Sequence, residues 1–128
     1  MTTLRDLMTE SVVTTSGETS VAEAARAMSG AKVGSAVVMQ GMWLAGILTE
    51  RDVLRAAASG EDLNESPVSK WMTPDPQSAT PETSADDAAQ VMLLNGFRHL
   101  PVVDGNEVRG VVSIRDLFAA RIRRPARS

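Results

Sequence analysis

The chain has 128 residues, 43% of them hydrophobic and 23% charged, with a formal net charge of −3 and no cysteine. This is the composition of an ordinary globular protein. It excludes disulfides, thiol catalysis, the common zinc motifs and the global basic field that attracts nucleic acid. No apolar run approaches the roughly 20 residues of a membrane span, and MTTLRDLMTE has no signal-peptide apolar stretch, so a cytoplasmic location is the default expectation.

In chain order, the β-branched run SVVTT (residues 11–15) predicts a short strand. Val21, Ala24, Ala25 and Met28 recur at i, i+3, i+4 and i+7, which predicts a helix, with Ser20 and Glu23 as its capping box. SAVVM, a turn at Gln40-Gly41 and WLAGIL predict a hairpin, and a second helix follows from Glu50 to about Ala58. SGEDLNESPVS (residues 59–69) is polar, contains Gly and Pro, and reads as a linker. The same order then repeats: a helix opened by Ser84 and Asp87, a hairpin LPVVD and EVRGVV turning at Gly105-Asn106, and a helix from Ile114 to about Ile122. The tail RRPARS is basic and aperiodic and reads as disordered. Arg121, Arg123, Arg124 and Arg127 could meet phosphates or an acidic partner, against the simpler reading of a solvated tail.

A shift of 64 residues superposes the two halves without a gap. Met8-Thr9 falls on Met72-Thr73, Glu18-Thr19-Ser20 on Glu82-Thr83-Ser84, Gly46 on Gly110, and Arg51-Asp52 on Arg115-Asp116. The chain is therefore a duplication of a β-α-β-β-α unit, spanning 1–60 and 70–122, with 61–69 as linker and 123–128 as tail. A unit of about 60 residues buries too little surface to be stable alone, so the halves are expected to act as one module.

The most informative repeated words are GILTERD (46–52) and GVVSIRD (110–116). Thr49 and Ser113 stand where a strand gives way to a helix, with Asp52 and Asp116 three residues on. Helix capping alone would account for both pairs, at about 1 kcal/mol per helix. It does not require aspartate rather than glutamate, nor the basic residues Arg51 and Arg115. The same geometry suits a nucleotide. A helix start favours phosphate, a cap hydroxyl can donate to a ribose or phosphate oxygen, and a short carboxylate can accept from a ribose diol. Gly46 and Gly110 would let backbone or a base approach the strand. Both readings stay open on the residues alone.

The gapless pair of units, the two Met-Thr steps, GILTERD, GVVSIRD and FRHLPVVDG (97–105) resemble a tandem cystathionine-β-synthase (CBS) domain pair, over roughly Leu4 to Ile122. The resemblance implies an α+β fold of two units packed through their sheets about a pseudo-twofold axis. It also implies adenosine-containing ligands in clefts between the units: AMP, ADP or ATP, or else S-adenosylmethionine or NAD(H). It implies that Asp52 and Asp116 hold ribose hydroxyls, and that Thr49 and Ser113 contact ribose or phosphate. Arg51 and Arg115 would lie near phosphates, with Arg55 helping in the first unit. Thr14 and Ser78 match a position that contacts the base, and Ser35-Ala36 and His99-Leu100-Pro101 match the adenine wall. It further implies a flat homodimer formed through the helices and an effector protein that reads the bound state. The first unit has GSAVVM where the second follows the family's HLPVVD, and Arg55 is matched by Ala119, so the two sites are expected to differ.

Catalysis finds no support. There is no Gly-x-Ser-x-Gly, no P-loop, no Gly-x-Gly-x-x-Gly and no nucleophile partner for His99, the single histidine, so no enzyme is expected. A metal at His99 is not expected; a structural place or a ligand contact suits it better. The seven methionines read as core filler, and Trp43, matched by Glu107, as either an interface or an exposed strand residue. The competing function is an interaction module that binds no small ligand. Nucleic-acid binding through the arginine tail is the least favoured.

Overall fold

A computed structural model describes the backbone of residues 1–123 and the side-chain surroundings of residues 1–120. The arginine tail and the side chains of Arg121 and Arg123, for which phosphate or acidic-partner contacts are conceivable, lie outside the described residues. The chain is mixed α/β and falls into two compact units, Val12–Pro76 and Met1–Ser11 with Gln77 onward.

In the unit Val12–Pro76, β1 (Thr14–Thr15), β2 (Ser35–Gln40) and β3 (Trp43–Thr49) form a sheet with a short fourth strand, Thr73–Pro74. β1 is parallel to β2; β2–β3 and β3 with Thr73–Pro74 are antiparallel. Only Thr14 and Thr15 of the expected strand SVVTT form the strand, and the Val37 N–H donates to the Val13 carbonyl just before it at 2.8 Å. The hairpin forms, but its turn falls one residue later than the expected Gln40-Gly41: Gln40 pairs with Trp43, and the chain turns at Gly41-Met42, where the Gly41 φ of +62° would strain a side chain. Helix α1 (Val21–Ala31) starts on Ser20, whose hydroxyl accepts from the Glu23 N–H at 3.1 Å, and ends on Lys32 in the left-handed conformation. Helix α2 (Glu50–Ala58) starts on Thr49. Ala24 and Met28 of α1 pack on Ala36, Val38 and Leu48 of the hairpin, with Val68 completing the core.

The other unit repeats this plan. Hairpin β4 (His99–Asp104) and β5 (Glu107–Ser113) lies beside α3 (Ala85–Asn95) and α4 (Ile114–Arg123). The outer rows shrink to single bridges, Ala79 parallel to Val102 and Thr9 antiparallel to Val111. Ser84 caps α3 through the Asp87 N–H at 3.1 Å; as at Ser20, the hydroxyl half of the expected capping box forms. The core is Leu4, Ala88, Met92, Leu100, Val102, Val112 and Leu117.

The stretch leading into each repeat is not a loose connector. Residues 68–71 form a short helix with Val68 fully buried, and residues 4–7 form its counterpart with Leu4 fully buried. The Val68 N–H donates to the Thr19 carbonyl at 2.8 Å, and the Leu4 N–H to the Thr83 carbonyl at 2.9 Å. The Val21 N–H donates to the Ser66 carbonyl, and the Ala85 N–H to that of Thr2. Thus the segment that precedes one repeat packs on the body of the other: residues 1–11 go with 77 onward, and residues 63–76 with 12–58. The packing boundary lies about a strand away from the sequence boundary between repeats. Polarity hid this, because Ser66 and Val68 are buried inside a stretch whose other residues look like linker.

Candidate functional site

Each unit gathers its candidate residues at the open end of a hairpin. Antiparallel register pairs Ser35 with Thr49 and Ala36 with Leu48 in one unit, and His99 with Ser113 and Leu100 with Val112 in the other. The helix that follows is anchored to the far strand's approach: the Glu50 N–H donates to the Gly34 carbonyl at 3.0 Å, and the Ile114 N–H to that of Arg98 at 2.8 Å. Strand end, helix start and the neighbouring strand's first residue therefore share one corner.

At that corner both aspartates close capping boxes. Asp52 Oδ2 accepts from the Thr49 N–H at 2.9 Å and the Thr49 hydroxyl at 3.1 Å, while the Asp52 N–H reaches Thr49 Oγ1 at 3.4 Å. Asp52 Oδ1 accepts from Arg55 Nη1 at 3.0 Å. Asp116 Oδ2 accepts from the Ser113 N–H at 2.9 Å, and the Asp116 N–H donates to Ser113 Oγ at 3.1 Å. Asp52 is buried, at 6% exposure, a rare position for a carboxylate unless it is paired and hydrogen-bonded. Asp116 is half-buried.

The remaining candidates divide. Ser35 is buried beside Thr49, and Thr14 is exposed on β1 opposite Val37, two residues along β2 from Ser35. Ser78 is exposed and adjoins Ala79, the residue that bridges Val102. Arg51 and Arg115 are exposed and form no ion pair among the described residues, so each leaves a cation beside a helix start. Ala36 and Leu100 belong to the two cores and Pro101 is fully buried, so these side chains are committed to packing. His99 is half-buried at the first position of its strand. Among the described residues there is no cluster of three or more His, Cys, Asp or Glu side chains able to hold a metal. No helix is long and apolar enough to cross a membrane, again among the described residues.

One set of neighbours was not legible in the sequence. The Arg55 guanidinium lies 5.5 Å over the Trp71 ring, Lys70 Nζ lies 5.8 Å from the same ring, and the Trp71 indole N–H donates to Ser66 Oγ at 2.9 Å. The Asp52–Arg55 spacing of i, i+3 could be read from a helix, but no local pattern brings Trp71 onto Arg55.

The glycines at this corner have a definite task. A Cβ on Gly46 would stand 2.6 Å from Met72 Sδ and 2.9 Å from the Thr73 carbonyl oxygen; one on Gly110 would stand 2.7 Å from the Thr9 carbonyl oxygen and 3.0 Å from Met8 Sδ. At both glycines it is the repeated Met-Thr step that approaches, through the methionine side chain and the threonine carbonyl.

The CBS domain model matches residues 4–59 and 68–123, which is most of the chain. The chain belongs to the CBS domain family. An uncharacterized 17.7 kDa protein of Acidianus ambivalens is 42% identical over 121 residues, covering 93% of this chain and 73% of its own. The crystal structure of a CBS-domain containing protein from Agrobacterium tumefaciens superposes with a TM-score of 0.86 at 32% identity, covering 94% of this chain and 99% of that one. CBSX2, solved in complex with AMP, superposes with a TM-score of 0.78 at 26% identity over 95% and 97% of the two chains. Both CBS matches begin at the buried residues Leu4 and Val68, so the leading segment that packs on the other repeat is part of the motif itself.

Proposed function

We propose that this CBS pair is a regulatory sensor for adenosine-containing nucleotides, AMP, ADP or ATP, held at the strand-to-helix corners described above. Binding shifts the module between two arrangements, and an effector protein reads the change. The ligand can drive such a shift only through different affinity for the two arrangements. Asp52 and Asp116 accept from the ribose diol, Thr49 and Ser113 supply a hydroxyl at the helix start, and Arg51 and Arg115 neutralise phosphate. Thr14, Ser78 and the first residues of β2 and β4 face the base. The observation that carries this reading is the recurrence, in both repeats, of an aspartate at a helix start, buried in one and half-buried in the other, with an exposed arginine beside it that forms no ion pair among the described residues. The AMP complex of the related CBSX2 supports the ligand class. No catalytic step and no required cofactor belong to this reading.

The module also pairs with a second copy of itself through its helices. Leu93 and Leu94 on α3 and Phe118 on α4 are 70%, 83% and 55% exposed, and Leu93 and Phe118 line a cavity of about 370 Å³ with Ala85, Ala89, Ile114 and Leu117. An apolar patch of this kind on a soluble surface favours association.

A second reading is favoured by one observation: both aspartates already complete capping boxes, so an interaction module with no ligand would need nothing more. A thermal-shift titration separates the two. AMP, ADP and ATP at 1 mM, with S-adenosylmethionine and NADH in parallel, should raise Tm by several degrees for at least one ligand. A Kd near 0.1 mM corresponds to about 1.4 kcal/mol of stabilisation. No shift with any of them leaves the interaction module standing alone.

A further inference from the structure

We infer that the two CBS repeats are unequal receptors and that Arg55 makes them so: it occupies the first carboxylate, so the Asp116 repeat takes a nucleotide first and the Asp52 repeat only after Arg55 lets go. The inference rests on the reading of Asp52 and Asp116 as ribose acceptors.

A ribose diol offers two hydroxyl donors, which a carboxylate receives best with one on each oxygen. Asp52 has no such pair of positions left, because Oδ2 is filled and Oδ1 is shared with Arg55. Oδ2 already takes two donors from Thr49, and Oδ1 takes Arg55 Nη1 at 3.0 Å, with the Asp52 side chain 9% exposed. Asp116 has one donor on Oδ2, the Ser113 N–H, and among the described residues no hydrogen bond or ion pair at Oδ1. The helix position that matches Arg55 is Ala119, so the second repeat has no counterpart to this arginine.

Arg55 is held in place from its other side. Its guanidinium rests over the Trp71 ring, and that ring is pinned by the bond from its indole N–H to Ser66 Oγ, on a residue that is itself buried. The Arg55 side chain is nevertheless 59% exposed, so solvent weakens its grip. An exposed ion pair with one cation–π contact corresponds to about a two- to tenfold difference in affinity, enough to order the two sites without silencing the weaker one. Opening the first site must also move the cation off Trp71. The indole that holds Arg55 therefore reports its departure.

The test uses the full chain carrying Trp43→Phe, which leaves Trp71 as the only tryptophan, titrated with AMP by calorimetry while Trp71 emission is followed. Two binding events are expected, and only the weaker one changes Trp71 emission. Asp116→Asn should weaken the tighter event more than Asp52→Asn does. Arg55→Ala should strengthen the weaker event two- to tenfold and uncouple it from Trp71. Ala119→Arg should weaken the tighter event by a similar factor, with Ala119→Gln as the uncharged control that does not; circular dichroism verifies that each variant is folded. The inference is overturned if Arg55→Ala weakens AMP binding or leaves it unchanged, if Ala119→Arg tightens it, or if Asp52→Asn strikes the tighter event harder. Absence of any AMP heat in the parent chain overturns the ribose reading itself, and is told apart from those outcomes because no event remains to be ordered.

Discussion

Met72 lies where a side chain at position 46 would have to go, with its Sδ 2.6 Å from the point a Cβ on Gly46 would occupy. Gly110 and the Thr9 carbonyl oxygen repeat the relation at 2.7 Å. In the first case the nearest atom belongs to a flexible side chain; in the second it is backbone. Gly46→Ala and Gly110→Ala should therefore both destabilise by about 1–3 kcal/mol, with Gly110→Ala the costlier. Urea unfolding of the two variants measures this, and equal stability to the parent would mean the Met-Thr segments sit farther out.

Leu4 is fully buried among Met92, Leu100, Val102, Val112 and Leu117 although it is the fourth residue of the chain. Leu4→Ala should cost about 2–5 kcal/mol, as a core truncation does. A frayed segment at Leu4 would give a change near zero in the same denaturation experiment.

Much of this architecture was legible in the sequence because the duplication carried its own internal check. The 3.6-residue spacing from Val21 to Met28, the hydroxyl caps at Ser20, Ser84, Thr49 and Ser113, and the Gly41 and Gly105 turns are local signals, and each appears where expected, the Gly41 turn to within one residue. Two kinds of feature were hidden. The exchanged leading segments depend on which distant surface Leu4 and Val68 cover, and a polar stretch with one buried valine does not announce that. The contact of Arg55 with Trp71 joins residues 16 apart through a fold that no periodicity encodes. In the candidate corners, residue types and spacing were readable, whereas the difference between a closed Asp52 and a more open Asp116 was not.

Lys32 ends its helix with φ 59° and ψ 42°, and the matching residue of the second repeat is Gly96 at φ 76°. A side chain in this region costs about 1 kcal/mol, part of which glycine returns through the entropy of the unfolded chain. Lys32→Gly should be stabilising by a few tenths to about 1 kcal/mol in thermal unfolding. A loss of stability would show that the lysine side chain makes a compensating contact.

Arg5 Nη2 and Glu82 Oε1 are 2.6 Å apart on the surface. The hydrogen bond from Arg5 holds the Glu82 carboxyl below its ordinary value of 4.5. A depressed carboxyl stabilises the folded chain above that ordinary value, and the contribution is lost as pH falls through the folded value. Any Tm advantage of the parent over Glu82→Gln should therefore be present at neutral pH and vanish on acidification below 4.5. A gap that widens in acid would reverse the assignment.

The exchange of leading segments also sets an order of assembly. During synthesis, residues 12–76 emerge with all their packing partners in one continuous run, so that body can be completed while the ribosome is still at work. Residues 1–11, made before that body, have no surface to close upon until the stretch from Gln77 has been produced. Residues 1–11 are thus among the last of this module to find their place, and a nascent chain halted midway would hold an unsatisfied Met-Thr segment.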